Sequence, residues 1–223
     1  MKIADFRTML PDFVAMVSIV DDGQDVPLDP REAHCVQNAA PPRKRDFALG
    51  RRCARRALEF LGHHDAFIDS NPDRSPRWPP GLIGSITHTS GYAAAVAANE
   101  THCRAIGIDA ERTGRIAPAL WNSLFDSSEM EFLRSSPYAQ QDALATLMFS
   151  AKEAYYKAAY PVTRRWLNFH DVHVSISGTR FAAFEKTSSG LTAADGRYVI
   201  DCGLVLTVVT TSHPIGGGKC DGR

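Results

Sequence analysis

The chain has 223 residues, is 44 % hydrophobic and 22 % charged, and carries 25 basic and 25 acidic side chains for a net charge of zero. That composition fits a globular protein with room for one large domain or two small ones. A neutral chain has no global field to gather nucleic acid or an anionic membrane, so electrostatic recognition has to come from a local cluster. The five cysteines, Cys35, Cys53, Cys103, Cys202 and Cys220, are odd in number, far apart and never C-x-x-C. They read as free thiols of a reducing compartment rather than a disulfide framework or a zinc site. No signal-peptide core and no run of ~18 apolar residues is seen, which makes the cytoplasm the expected location.

In chain order, residues 13–20 read as a strand and 21–30 as an acidic loop. Pro41-Pro42 opens a helix over roughly 43–61 that stops at Gly62. Four prolines and a glycine in 69–81 argue against regular structure there. GSITHTSGYAAAVAA, 84–98, is a strand, a turn at Ser90-Gly91 and a second strand. AIGIDAE, 105–111, is a short strand, followed by a loop and a helical stretch interrupted near Pro137. Residues 140–159 place Leu144, Leu147, Met148 and Ala151 at helical spacing, with Pro161 expected to end the helix. HDVHVSIS, FAAFEK and the run from Tyr198 to Thr210 read as strands of a C-terminal sheet, and the tail from about 213 as disordered. The outline is two α+β halves, 1–112 and 113–223.

Three features carry chemistry. Asp109 and Glu111 are two apart on a strand and share one face, opposite Ile108 and Ala110. Like charges ~7 Å apart on one face favour a cation between them, and oxygen ligands suit Mg²⁺ or Mn²⁺; a solvated strand end is the plainer reading. Glu153 and Lys157 are four apart on the long helix, either as an ordinary surface ion pair or with the glutamate as a third ligand. Arg43, Lys44, Arg45, Arg51, Arg52, Arg55 and Arg56 form a basic cluster, which marks a phosphate site or a solvated helix face. Without interleaved aromatics it is a poor nucleic-acid groove, and that reading stands as an alternative only. His88 sits between a strand and a turn. His170 and His173 face opposite ways and read as structural. GSITHTSG lacks the nucleophile-elbow spacing, and GGGK at 216–219 lacks that of a P-loop.

Four segments, R-x-x-x-F-x-x-G-R-x-x-A-R (43–55), W-P-P-G-L-I-G-S-I-T-H (78–88), G-I-D-A-E (107–111) and F-S-A-K-E-A-Y-Y-K-A (149–158), follow one another in a single order. Together they closely resemble the Sfp-type 4′-phosphopantetheinyl transferases, nearest the enterobactin-synthetase-component-D-like branch, over about residues 40–175. The resemblance implies a pseudo-twofold pair of α/β halves with coenzyme A in the cleft between them. It implies Mg²⁺-dependent transfer of the 4′-phosphopantetheine arm to a serine of an acyl, aryl or peptidyl carrier protein, with adenosine 3′,5′-bisphosphate released. Carrier activation of this kind serves secondary-metabolite and siderophore assembly. Asp109, Glu111 and Glu153 match the metal-binding acids and Lys157 the active-site lysine. Thr87 and His88 match residues around the diphosphate, and Arg43, Arg51 and Arg55 the basic positions near the 3′-phosphate. The segment Ser70, Asn71, Pro72, Asp73 falls along the adenine; relatives often carry a lysine or a glycine-rich stretch there, and Arg74 or Arg77 is the nearby substitute. Phe125, Met130 and Phe132 fall where relatives bind carriers, or else in the core. A pseudo-twofold chain is expected to act as a monomer. A different Mg²⁺-dependent enzyme of nucleotide phosphates, such as a hydrolase, is the alternative activity.

Overall fold

The structure is a computed structural model that describes residues 6–187 and 193–211. The C-terminal tail and Cys220 lie outside the described residues.

Four layers stack as helix, sheet, sheet, helix. The first sheet has the order β1-β5-β4, from β1 (Ala15–Val20), β4 (Leu82–Thr89) and β5 (Tyr92–Asn99). The long helix α1 (Pro41–Phe60) covers one face of it, with Pro41 and Pro42 in the first turn, where their missing amides have no partner to lose. Ala93, Ala95 and Ala97 of β5 meet Leu49, Cys53, Ala57 and Leu58 of α1. The alternate residues Tyr92, Ala94, Val96 and Ala98 face the second sheet instead. A strand buried on both faces reads as a continuous apolar run, and YAAAVAA is one.

The second sheet is antiparallel, in the order β6-β10-β9-β8-β7. Its strands are β6 (Ala105–Arg112), β7 (Val172–Ser177), β8 (Arg180–Glu185), β9 (Ala194–Asp201) and β10 (Leu204–Thr211). Ile106, Ile108, Ala110, Leu204, Leu206 and Val208 complete the layer between the sheets. The outer face is covered by α4 (Tyr138–Thr163), with the short α2 (Trp121–Leu124) and α3 (Ser127–Ser135) beside it. Each half is thus one long helix over an antiparallel sheet.

Four expectations shift. First, β6 pairs in antiparallel register with β10, Asp109 opposite Thr207, so by sheet membership the two sheets part in the turn 100–104 rather than at 112. Second, the proline-rich stretch holds a minimal ribbon of β2 (Asp69–Ser70) and β3 (Pro76–Arg77). Third, the run Tyr198 to Thr210 is broken into β9 and β10 by Cys202 and Gly203, both at positive φ (48° and 71°), the geometry of a tight hairpin turn without the usual Asn-Gly signal. Fourth, α4 continues past Pro161 for a last turn and closes on Arg164 in the left-handed conformation, whose amide donates to Tyr160 O at 2.8 Å. Only Val162 and Thr163 follow the proline in the helix, so few bonds are lost.

Lys152 anchors α4. It is 2 % exposed, and its ammonium donates to Leu124 O, Glu129 Oε2 and Phe169 O at 2.8, 2.7 and 2.8 Å. Glu129 is also the N3 residue of the capping box that starts α3, and its other oxygen accepts Val174 N at 2.8 Å. Burial holds the Lys152 pKa below the ordinary lysine range, while Glu129 opposes that shift. Replacing Lys152 by Met strands the Glu129 carboxylate. We expect a loss of about 3–5 kcal/mol in denaturant-unfolding stability, and an unchanged midpoint would refute the anchor.

Candidate functional site

β4 and β6 meet at the edges of their sheets. β10 takes one edge of β6, and amides on its free edge are satisfied by side chains of β4: Ile108 N donates to Ser85 Oγ and Ala110 N to Thr87 Oγ1, both at 3.1 Å. The Thr87 hydroxyl in turn donates to Asp109 Oδ1 at 3.2 Å. One threonine therefore joins the two sheets and orients a carboxylate.

On the other face of β6, Gly107, Asp109 and Glu111 look toward α4. A Cβ on Gly107 would overlap the Ala154 carbonyl oxygen and sit 2.8 Å from Ala158 N. Only glycine lets helix backbone and strand backbone approach this closely. The approach brings Lys157 to Asp109: its ammonium donates to Oδ1 at 2.6 Å and to Ile108 O at 3.2 Å, with Thr87 Oγ1 at 3.4 Å. Among the described residues the ion-pair partner of Lys157 is thus Asp109 rather than Glu153, and the i,i+4 reading of the helix gives way.

The carboxylates are incompletely satisfied. Asp109 Oδ2 and Glu111 Oε2 are buried without a hydrogen bond, although Arg115 lies 3.3 Å from the latter. That guanidinium is mostly exposed and approaches outside hydrogen-bonding geometry, so it screens the charge without desolvated pairing. Burial first, then the Asp109 charge, pushes the Glu111 carboxyl up to about 7. Burial raises Glu153 as well, with Lys157 pulling the other way. The three acids share one electrostatic neighbourhood, but their oxygens are not all within 4.8 Å of one another. Among the described residues, two other groups are that close: His34, Cys35 and Asp69, and Asp126, Glu129 and His173. The second of these is neutralised by Lys152 and Lys186.

Lys157 lines a cleft of about 380 Å³ between the halves. One wall is Trp78, Ser85 and Ile86, the other Tyr156, Tyr160 and Trp166, and Asn71, Asp73 and Arg74 form the lip. Tyr156 packs on Tyr160 and on Trp166, each at 5.5 Å. The lip is tied across the cleft, since Tyr160 Oη and an Arg164 nitrogen both donate to Asp73 Oδ2 (2.9 and 3.2 Å). A smaller groove beside it is lined by Glu153, Tyr156, Trp166 and Phe169.

The basic cluster is dispersed. Arg45 pairs with Asp21, and Arg55 with Glu32, which is fully buried. Arg51 is 5 % exposed, donates to Asp69 O and Ser70 Oγ, and lies over Phe47. Arg43 donates to His88 Nε2 at 2.8 Å, with Asp46 3.6 Å from Nδ1. Burial, ahead of the opposing pull of Asp46, lowers the His88 pKa. Arg77 pairs with Asp69, which leaves Arg74 as the arginine of that stretch at the cleft. Phe125 and Met130 are core residues and Phe132 is partly exposed. Sequence reasoning missed Lys152 and the aromatic wall; Tyr156 and Tyr160, four apart on a helix, were the available signal.

Residues 31–98 match the family model described as the 4′-phosphopantetheinyl transferase N-terminal domain, and residues 105–201 that of the 4′-phosphopantetheinyl transferase superfamily. The chain is 34 % identical to 4′-phosphopantetheinyl transferase Npt of Nocardia iowensis over 219 residues, 91 % of this chain and 98 % of that protein. It is 35 % identical to 4′-phosphopantetheinyl transferase PptT of Mycobacterium tuberculosis over 81 % of this chain and 84 % of that one. To enterobactin synthase component D of Salmonella typhi it is 37 % identical over 55 % of this chain and 51 % of that one.

Two substitutions test the geometry. Gly107→Ala forces α4 off β6 and is expected to lower stability by about 1–3 kcal/mol; calorimetry showing no loss would refute the close approach. For Glu111 the folded pKa of about 7 lies above the ordinary 4.5, so the folded state holds the extra proton between those values. Stability of the metal-free protein should then fall as pH rises from 4.5 to 7 and level off above. Glu111→Gln should flatten that slope and raise stability at pH 8 by about 1–3 kcal/mol.

Proposed function

The chain belongs to the 4′-phosphopantetheinyl transferase superfamily, and on that premise we propose which of its residues carry the transfer and which metal they hold. The enzyme moves the 4′-phosphopantetheine arm of coenzyme A to a serine of a carrier protein. Phosphoryl transfer depends on positioning and on neutralising charge rather than on covalent help from the protein.

Asp109, Glu111 and Glu153 hold Mg²⁺, or Mn²⁺ in its place. What supports this is the pair of buried carboxylate oxygens without hydrogen bonds, Asp109 Oδ2 and Glu111 Oε2, beside the Lys157 ammonium at the cleft. Buried carboxylate oxygens left unpaired are costly unless a cation takes them. Acids spread wider than one direct coordination sphere suit Mg²⁺, which keeps several waters and leans on one or two carboxylates plus substrate phosphates. Held by these residues, the cation would supply positive charge to the diphosphate.

Lys157 presents its ammonium to the phosphate or the bridging oxygen and stabilises the leaving group. Thr87 keeps Asp109 in place, and Arg43 with His88 meets phosphate at the rim. Glu153 accepts the serine proton directly or, because a carboxylate shared with a cation is a weak base, through a water. Arg51 and Arg55 act by holding Ser70 and Glu32, which shape the Ser70–Asp73 segment along the adenine, with Arg74 at the lip. The two halves of one chain supply the whole cleft, so we read the enzyme as a monomer. Its coenzyme A substrate and free thiols agree with the cytoplasm, and the likeness to enterobactin synthase component D points to carriers of siderophore and secondary-metabolite assembly.

Intact-mass analysis of an apo carrier with coenzyme A and Mg²⁺ tests the assignment: we expect a gain of about 340 Da, the mass of a covalently attached arm, abolished by chelator. Glu153→Gln and Lys157→Ala should each lower turnover by ~10²-fold or more; Glu153→Gln should leave the melting temperature nearly unchanged, while Lys157→Ala should lower it, because it strands the Asp109 carboxylate. Near-normal transfer by Glu153→Gln at saturating Mg²⁺ would remove Glu153 from the site.

A further inference from the structure

A second set of ligand atoms converges away from the cleft. His34 and Cys35 are neighbours on the 3₁₀ turn Ala33–Val36, just ahead of α1, and Asp69 begins the β2–β3 ribbon. His34 Nε2 lies 3.0 Å from Asp69 Oδ1, Cys35 Sγ 3.5 Å from the same oxygen, and Sγ 3.5 Å from Nε2. We propose that these three side chains form a binding site for a borderline d-block dication of the Zn²⁺ class, separate from the carboxylate site in the cleft.

The spacing carries the argument. In a tetrahedral site with Zn–N and Zn–O near 2.0–2.1 Å and Zn–S near 2.3 Å, adjacent ligand atoms are about 3.3 Å apart for N and O and about 3.5 Å for S with either. The observed triangle matches two edges and is a few tenths of an ångström short on the third, which joins the exposed His34 side chain. A thiol, imidazole and carboxylate meeting in sequence would suggest a nucleophile triad instead. Here the same nitrogen of His34 faces both partners, so the ring cannot relay a proton from thiol to carboxylate, as a triad requires. Three ligand atoms within 3.5 Å of one another suit a cation shared among them.

The site is also prebuilt. Glu32, fully buried and paired with Arg55, accepts Ile68 N at 2.9 Å and so clamps the 3₁₀ turn to the residue before Asp69. Asp69 is oriented by its neighbours: Ser70 N donates to Oδ1 at 2.7 Å and Arg77 pairs with Oδ2. Such outer contacts fix the rotamer of a metal ligand. One soft and one borderline donor disfavour Mg²⁺, which keeps the two sites chemically distinct. Three ligands leave a fourth position open to solvent at the exposed His34 side. Binding replaces the thiol proton and leaves the imidazole neutral with its proton on Nδ1, so one proton is released per metal and affinity rises with pH. The cation would tie the root of the ribbon to the turn ahead of α1, and Asn71, Asp73, Arg74, Ser75 and Pro76 beyond that root line the cleft.

The test is Co²⁺ titration of the whole chain in excess Mg²⁺, which keeps the carboxylate site occupied, followed by Zn²⁺ competition. We expect one Co²⁺ per chain with a thiolate-to-cobalt charge-transfer band and tetrahedral visible absorption, both removed by Zn²⁺. Cys35→Ser should abolish the charge-transfer band, and His34→Gln should weaken binding by more than about 100-fold while leaving the fold intact by circular dichroism. Absence of stoichiometric uptake would overturn the proposal. So would an unchanged spectrum in Cys35→Ser, since the metal would then sit on Cys202 or Cys220.

Discussion

The site depends on one hydroxyl. Thr87 Oγ1 accepts Ala110 N from the free edge of β6 and donates to Asp109 on the same strand. An unpaired strand edge buried between two sheets is unfavourable unless its amides find acceptors. Ser85 and Thr87 supply them, so the two sheets dock without sharing a ladder. The same bonds fix the register of β6 against β4. That register places a carboxylate from one half beside the cleft wall contributed by the other.

Helix α4 is then positioned from two directions. Gly107 removes the side chain that would separate it from β6, and the buried Lys152 ammonium ties its middle to the ends of α2 and the loop at Phe169. A buried lysine is tolerated because it has three acceptors and one of them is charged. Glu153 follows it directly, turned outward by a helical step. Of these neighbours, Lys152 holds the helix and Glu153 lines the groove beside the cleft.

The charges follow the same division. Seven cations in fourteen residues look like one patch on a helical wheel, but three of the arginines are spent on Asp21, Glu32 and the Ser70 segment. Those pairs brace loops that have little regular structure of their own. Arg43 instead meets His88. The acids near Lys157 are held in a different condition: Asp109 Oδ2 and Glu111 Oε2 are buried and accept no hydrogen bond.

Much of this was legible in the sequence, because it depends on neighbours along one element. Period-two spacing put Asp109 and Glu111 on a common face, period-3.6 spacing put Glu153 and Lys157 on another, and the ordered motifs identified the family and its plan of two α/β halves. The sequence did not show that Lys157 turns to Asp109 instead of Glu153. Nor did it show that Arg55 pairs with Glu32, that β6 belongs to the second sheet, or that Cys202-Gly203 makes a turn. All but the local hairpin turn are settled by partners far apart in the chain, whose meeting depends on how sheets and helices pack. Local spacing fixes which side chains point together; only the tertiary structure decides which of them meet.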